Sequence, residues 1–339
     1  MFEDAKLSEQ LAIGIDIGAT KIAAALVTPD GHILDSIQKP TQTQKGSEVV
    51  LQDILEIVQH LYNLAPSAVA GVGIGSPGIL DPEAGIVYNA VNLGWVDVPL
   101  VSYLEVFLNL PIPIYLQRDT FASVLGEYIF GTQGRVRDLV YFSIGSGFGA
   151  GAIVNGQLLM GATGGALELG HLTLSFLDNP CACGRIGCVE TILSGNGVLT
   201  TVLKRLEQSD QPSLLRQLSP LHPKDILQAA QMGDPVATEV LNLAGKVFGI
   251  VLSLCTAVLN PAVIIVGGGF GRAALDMLLP IARKELEHRI LKEHHQSMQI
   301  RVSTLESSAL GPAALVWYQK NSERLKKVNE PGISLKNKI

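Results

Sequence analysis

The sequence holds little charge, few aromatic rings and few cysteines. Charged residues make up 17% of the 339 positions and aromatics 5%, against 47% apolar residues. A chain this apolar is neither disordered nor fibrous. Its formal net charge is −6, so it lacks the basic surface of a non-specific nucleic-acid binder. No uninterrupted apolar run approaches the ~18 residues of a membrane span. The opening MFEDAKLSEQ is polar and acidic, without the apolar stretch of a signal peptide, and a cytoplasmic protein with no membrane partner is expected. There is no G-x-x-x-x-G-K-[ST], which excludes a P-loop. Gly73-x-Gly75-x-x-Gly78 spells a dinucleotide fingerprint, but Pro77 interrupts it and no helical pattern follows. The cysteines number four, which suits a reducing compartment better than a disulfide framework in a chain long enough for two cores.

What is present is concentrated in residues 141–191. A strand pattern over 140–144 runs into Gly145, Ser146, Gly147, Phe148 and Gly149, and a second strand covers 150–154. The pattern has an earlier copy: GIDIGATKIAAALV (14–27) resembles YFSIGSGFGAGAIV (141–154). A repeat at about half the chain predicts two similar α/β domains, each offering a glycine turn toward a shared cleft. Around these stretches the periodicity predicts an antiparallel meander over 11–17, 22–27 and 32–38. A helix over 47–64 with Ser47 as N-cap, a strand over 69–75 and a loop over 76–82 follow. Next come a helix over 98–109, a strand over 112–117 and a helix over 121–130. The second half reads as helices over 197–206, 223–231 and 235–259, a strand over 262–266, a helix, a strand near 299–303 and a last helix near 309–321. A polar, frayed tail starts at Lys326.

Glycine turns suit phosphate binding, because backbone without a Cβ can approach an anion and aim several N–H groups at it. Hairpins also use glycine for geometry alone. Two matched turns, and a third at Gly267, Gly268 and Gly269 after a strand, favour phosphate. His171, Cys181, Cys183 and Cys188 offer four ligands for tetrahedral zinc, with Gly184 and Gly187 permitting the tight path between them. A full protein ligand set makes such a metal structural rather than catalytic; reduced thiols or a disulfide are the alternatives. Cys255 lies in an apolar helix and reads as core. Asp119, at a strand end before a helix, suits a general base or an N-cap. Glu168 and Glu190 flank the metal ligands and could equally be solvated. His294 and His295 read as a solvated helix face.

With these residues in place, the chain resembles the sugar kinases of the ROK family (repressor, open reading frame, kinase), in the actin-like, hexokinase-like ATPase superfamily. Asp16, Ile17, Gly18, Ala19, Thr20 and Lys21 resemble its first phosphate motif, which usually has glycine at the place of Ala19. Gly145, Ser146 and Gly147 resemble its second. Glu168, Leu169, Gly170 and His171, followed by CACGRIGCVE (181–190), resemble the family signature, and 267–269 the adenosine-side turn. The resemblance covers residues 11 to about 320. It implies two ribonuclease-H-like α/β domains hinged over ATP and a hexose. The smaller would span 1–118, completed by a C-terminal helix near 306–323, and the larger 119–305. Asp119 then corresponds to the base that takes the proton of the sugar 6-hydroxyl. Asn92, Arg118, Glu168, His171 and Glu190 fall at sugar-binding positions, His171 binding structural Zn2+ through one ring nitrogen and sugar through the other. Asp16 falls on the Mg2+ side. Arg118 departs from the family's asparagine, Gln117-Arg118-Asp119-Thr120-Phe121 standing for Glu-Asn-Asp-Ala-Asn, and Leu167 replaces a glycine. The implied activity is ATP-dependent phosphorylation of glucose. Alternatives are another hexose or N-acetylhexosamine (mannose, N-acetylmannosamine, N-acetylglucosamine, fructose, allose), polyphosphate as donor, or a sugar sensor without turnover. A family repressor would carry a DNA-binding domain before the first strand, where ten residues stand. A homodimer or tetramer is expected by analogy.

Overall fold

The computed structural model describes residues 10–329. The polar opening and the chain beyond Asn329 lie outside the described residues. In the first half come β1 (Leu11–Ile17), β2 (Lys21–Val27), β3 (Ile33–Pro40), α1 (Ser47–Leu64), β4 (Val69–Ser76), β5 (Ile79–Asp81), β6 (Ile86–Ala90), β7 (Trp95–Val98), α2 (Leu100–Leu108), β8 (Ile114–Arg118) and α3 (Asp119–Gly126). The second half holds β9 (Leu139–Ile144), β10 (Phe148–Val154), β11 (Gln157–Leu158), α4 (Gly195–Gln208), α5 (Pro223–Gln231), α6 (Pro235–Leu259), β12 (Val263–Gly267), α7 (Gly269–Glu287), α8 (Lys292–His295), β13 (Gln299–Val302) and α9 (Leu310–Asn329). The chain divides after Phe130 and again before Leu305 into two compact units, α9 returning to the first.

Each unit is built on a five-stranded sheet, and the two sheets share one plan. The orders are β3-β2-β1-β4-β8 and β11-β10-β9-β12-β13. In both, the first three strands form an antiparallel meander and the last two join in parallel. The repeat read from 14–27 and 141–154 is therefore β1–β2 against β9–β10.

The first sheet is covered on both faces, so its central strands alternate large with small rather than apolar with polar. Ile13, Ile15, Val72 and Ile74 point into one core with Val50, Ile54 and Val58 of α1 and with α2. Ala12, Gly14, Gly71, Gly73 and Gly75 face α9, whose Ala313, Val316 and Trp317 fill the second layer with Ala309 just before the helix. A Cβ on Gly73 would run into the Pro312 carbonyl oxygen. The glycines that spell a dinucleotide fingerprint are thus a packing surface for α9. In the second unit, Gly245 and Gly249 of α6 let α7 approach at Ile281, Ala282 and Glu285.

Several expectations change. The stretch 76–82 is not only loop: β5, β6 and β7 make a separate three-stranded sheet. These strands are three to five residues long, too short to show a period. Gly46, at φ 91°, occupies the N-cap position of α1, and Ser47 is the first helical residue. Helix α3 opens on Asp119 itself. Helix α9 runs on to Asn329 rather than stopping near 321, because 321–329 offers good helix formers with no proline before Pro331. By length and composition, α6 could cross a membrane, unlike the expectation from apolar runs; 67% of its most apolar window is buried in the protein.

Gly73→Ala is expected to destabilise the protein by about 3 kcal/mol, the upper end for overpacking, since backbone cannot swing aside as a side chain can. Denaturant unfolding within about 1 kcal/mol of wild type would contradict this packing account.

Candidate active site

In the first unit the site is set by sheet register. Asp16 pairs across to Gly75 of β4, and Gly75 pairs on to Gln117 of β8. A Cβ on Gly75 would lie 3.5 Å from the Asp119 Cα. The absent side chain lets the start of α3 settle beside Asp16. Burial pushes the Asp16 carboxyl up to about 7; a side-chain hydrogen bond with Ser308 opposes this, the Asp119 carboxylate adds to it and Lys21 opposes it. Asp16, Lys21 and Asp119 are therefore brought together, with Ser308 as a partner that no local pattern announced. The Asp119 carboxylate accepts a hydrogen bond from the Thr120 N–H (2.7 Å).

The turn before Lys21 is braced from outside. Gly18 N–H donates to the Lys21 carbonyl (2.9 Å), and the Thr41 hydroxyl donates to the Gly18 carbonyl (2.7 Å). Thr41 N–H donates to the Thr20 carbonyl (3.0 Å). Ala19 is half-buried, while Thr20 and Lys21 are exposed. Arg118 lays its guanidinium 4.5 Å from the centre of the buried Phe121 ring, a cation–π contact. Two of the four departures from the Glu-Asn-Asp-Ala-Asn pattern, Arg118 and Phe121, are thus one stacked pair. Asn92 stands exposed on the turn Val91–Leu93, in the three-stranded sheet.

In the second unit two glycine turns lie side by side, because β9 and β12 are parallel neighbours with Gly267 opposite Ser143. Gly268, at φ 77°, passes so close to Ile144 that a Cβ would overlap its backbone. Gly145 N–H donates to the Gly147 carbonyl (2.9 Å), and Gly195 N–H, opening α4, donates to the Gly145 carbonyl (2.8 Å). Gly269 opens α7. The starts of α4 and α7 meet where a Cβ on Gly195 would touch Phe270 (3.6 Å). Glycine turns flanked by two helix N-termini have the geometry and partial positive charge that suit an anion.

Beside this lies the metal-ligand cluster. One ligand atom each from His171, Cys181, Cys183 and Cys188 falls within 4.8 Å of the others. Cys181 Sγ is 3.8 Å from His171 Nδ1, and Cys183 Sγ is 3.6 Å from Cys188 Sγ. Zinc with ~2.3 Å bonds to sulfur holds tetrahedral sulfurs about 3.8 Å apart, so the set fits that ion. Backbone hydrogen bonding from Arg185 draws the Cys183 thiol down to about 6, while burial pushes Cys188 up to about 12. Gly184 and Gly187 both have positive φ. Nδ1 faces the sulfurs, leaving Nε2 as the outer ring nitrogen.

Glu190 is half-buried and its Oε2 accepts a hydrogen bond from Phe148 N–H (2.8 Å). Glu168 is exposed, just before the short turn Leu169–His171. Leu167 holds φ 62°, the left-handed conformation in which glycine is at ease. The backbone has kept the glycine-like shape without the glycine. Cys255 is buried in α6, and His294 lies exposed on α8.

The ROK family model matches residues 12–319. A glucokinase of Halalkalibacterium halodurans is 30% identical over 96% of this chain and 99% of its own. A xylose repressor of Caldicellulosiruptor bescii is 32% identical over 90% of this chain and 77% of its own. A solved ROK family glucokinase from Streptomyces griseus, in complex with glucose and AMPPNP, superposes with a TM-score of 0.75 at 29% identity, covering 90% of this chain and 98% of its own. The two α/β units thus have the actin-like ATPase fold of solved ROK sugar kinases.

Because folding raises the Asp16 pKa from 3.8 to about 7, the native state holds a proton that the unfolded chain releases. Stability falls as pH rises from about 4 to 7. Asp16→Asn removes this titration, so its stabilising effect on the ligand-free protein is expected to be larger at pH 8 than at pH 5, by at most about 3 kcal/mol. Equal shifts in Tm at the two pH values would refute the assignment.

Proposed function

This chain belongs to the ROK family, and on that premise we propose that it transfers the γ-phosphoryl group of ATP to the 6-hydroxyl of a hexose, glucose foremost. The observation that carries the reading is the placing of Asp119 beside the half-buried Asp16 across Gly75 in the first unit. An acceptor hydroxyl must lose its proton as the new bond to phosphorus forms. Asp119 is the base that takes it, and Asp16 is the acid on the Mg2+ side. Mg2+ would neutralise phosphate charge when bound, and Asp16, whose carboxyl burial holds up to about 7, is the residue that would hold it.

In the second unit, 145–147 and 267–269 take the nucleotide, its phosphates at the first turn and its adenosine side at the second. Glu168, His171 Nε2 and Glu190 serve the sugar hydroxyls in the second unit, and Asn92 is the first unit's own sugar-binding candidate. The His171–Cys181–Cys183–Cys188 set holds zinc, which fixes the imidazole ring and leaves Nε2 for the sugar. The glucokinase relatives and the glucose-bound neighbour support glucose. The xylose repressor supports a second reading, sugar binding without turnover; retention of the acid pair favours turnover. Arg118, pinned on Phe121, is the residue through which the acceptor would differ from glucose.

Coupled ADP-release assays with glucose, mannose, N-acetylmannosamine, N-acetylglucosamine, fructose and allose test the reaction; sugar binding with no turnover of any of them would favour the sensor. Asp119→Asn is expected to fold and to bind sugar and nucleotide with kcat lowered at least ~100-fold, within the general-base range. Retention of more than about a tenth of wild-type kcat would mean that Asp119 merely supports the start of α3. Metal analysis should find zinc in the freshly purified protein and lose it in Cys183→Ser; a zinc-free wild type would refute the metal assignment.

A further inference from the structure

The metal segment grips the phosphate turn from two sides. Its first arm carries His171. There Gly170 sits so close to the Phe148 carbonyl that a Cβ would overlap the oxygen. Its second arm carries Cys188. Two residues on, Glu190 accepts the Phe148 N–H (2.8 Å), and its Oε2 lies where a Cβ on Gly147 would be only 2.5 Å away. The peptide groups on either side of Phe148 are therefore wedged between the arms, just after the 145–147 turn. The arms are bound to each other by Val189 N–H donating to the Leu172 carbonyl (2.9 Å) and by a bridge between Thr173 and Cys188. Beyond Glu190 the second arm reaches the turn again. The Ser194 hydroxyl donates to the Glu190 carbonyl (2.8 Å), Gly197 N–H donates to Ser194 Oγ (2.9 Å), and Gly195 N–H donates to the Gly145 carbonyl (2.8 Å).

We propose that the metal cluster and Glu190 act as a clamp that sets the shape of the 145–147 turn, so that metal occupancy controls affinity for the nucleotide's phosphate chain as well as for sugar. The inference rests on the reading of 145–147 as the phosphate turn. A metal ion tying His171 to Cys188 closes the two arms on Phe148. Glu190 is a positioning residue in this role. Its oxygen holds an N–H whose direction fixes the peptide immediately after Gly147. Loss of that acceptor frees the Phe148 amide to rotate and the turn to lose its preorganised form, which weakens phosphate binding.

Calorimetric titration of Mg2+-AMPPNP, without sugar, tests the clamp in three proteins, each checked for zinc content and Tm. Zinc-loaded wild type should bind. Glu190→Ala, which deletes the acceptor, should keep its zinc and bind about tenfold more weakly, the scale of a lost charge-assisted hydrogen bond. Glu190→Gln keeps an acceptor oxygen and should stay within about threefold of wild type, although both variants lose a sugar carboxylate. That split separates the clamp from direct sugar recognition. Should Glu190→Ala fail to fold, the wild type decides. Stripping zinc with a chelator, removing the chelator and reloading the metal should weaken and then restore AMPPNP binding. Unchanged AMPPNP affinity in folded Glu190→Ala or in folded zinc-depleted wild type overturns the clamp while leaving the phosphate turn in place. Wild type that binds no AMPPNP overturns both the clamp and the phosphate reading.

Discussion

Direct contact between backbones, with no side chain between them, is the constraint on which the first unit depends. Strand β4 meets α9 through Gly71, Gly73 and Gly75, and β1 meets it through Gly14. The segments are far apart in sequence, yet the entropic cost of closing so long a loop grows only slowly with its length. Burial of Trp317, Val316 and the alanines of α9 offsets that cost. The same row of glycines sets the chemistry. Gly75 lies between Asp16 and Gln117 in the sheet and under the first turn of α3, so the distance from Asp16 to Asp119 is fixed by the packing that seals the core. Burial disfavours the charged form of Asp16, and the Asp119 carboxylate beside it adds to that. Asp16 answers by holding a proton to about pH 7.

The second unit repeats the sheet but uses its glycines elsewhere. Close approach moves from the sheet face to the strand ends, where Gly147, Gly268 and Gly195 crowd around the tips of β9 and β12. One plan of five strands thus yields a unit that carries paired acids and a unit that carries clustered glycine turns, according to which positions have lost their side chains. The carboxylate of Glu190 beside the 145–147 turn looks at first like a poor neighbour for a phosphate. Its Oε2 is already engaged by the Phe148 N–H, which disperses part of its charge, and the N-termini of α4 and α7 supply partial positive charge at the same place.

Much of this was legible in the sequence because it is local. Helices α5 and α6 carry their start signals on the surface of the sequence, a proline at the first turn after His222 and after Asp234, and their bounds could be read directly. The metal ligands are legible because their donor atoms are few in kind and close in sequence. The repeat of 14–27 in 141–154 gave away the doubled sheet. What escaped is set by tertiary contact. The β5, β6 and β7 strands are too short to carry a period, and the glycines of β4 spell a false motif because α9, over two hundred residues on, dictates them. The bond from Phe148 to Glu190 joins residues 42 apart, and the stack of Arg118 on Phe121 needs coordinates to see. That stack changes how Arg118 reads. A departure from the family at one position looked like a lost sugar contact; as a pair with Phe121 it is a substitution supported by its own neighbour.

The metal cluster makes sense from what its surroundings lack. Between β11 and α4 the chain forms no regular strand and no helix longer than a single short turn, apart from isolated bridges pairing Thr173 with Cys188 and Pro180 with Ile186. Phe176 and Ile186 are largely exposed there. Leu177, Val189, Ile192 and Leu193 anchor the stretch in the core, but a segment so poor in ladder hydrogen bonds gains from further cross-links. A metal bound by these four ligands would supply such cross-links, and its binding free energy would then serve as folding free energy. The segment also meets the glycine turn through Gly170 and Glu190 at Phe148, so a change at the ligand cluster can be carried to that turn. A structural metal held here would, by position, act on the glycine turn although it touched no reacting atom.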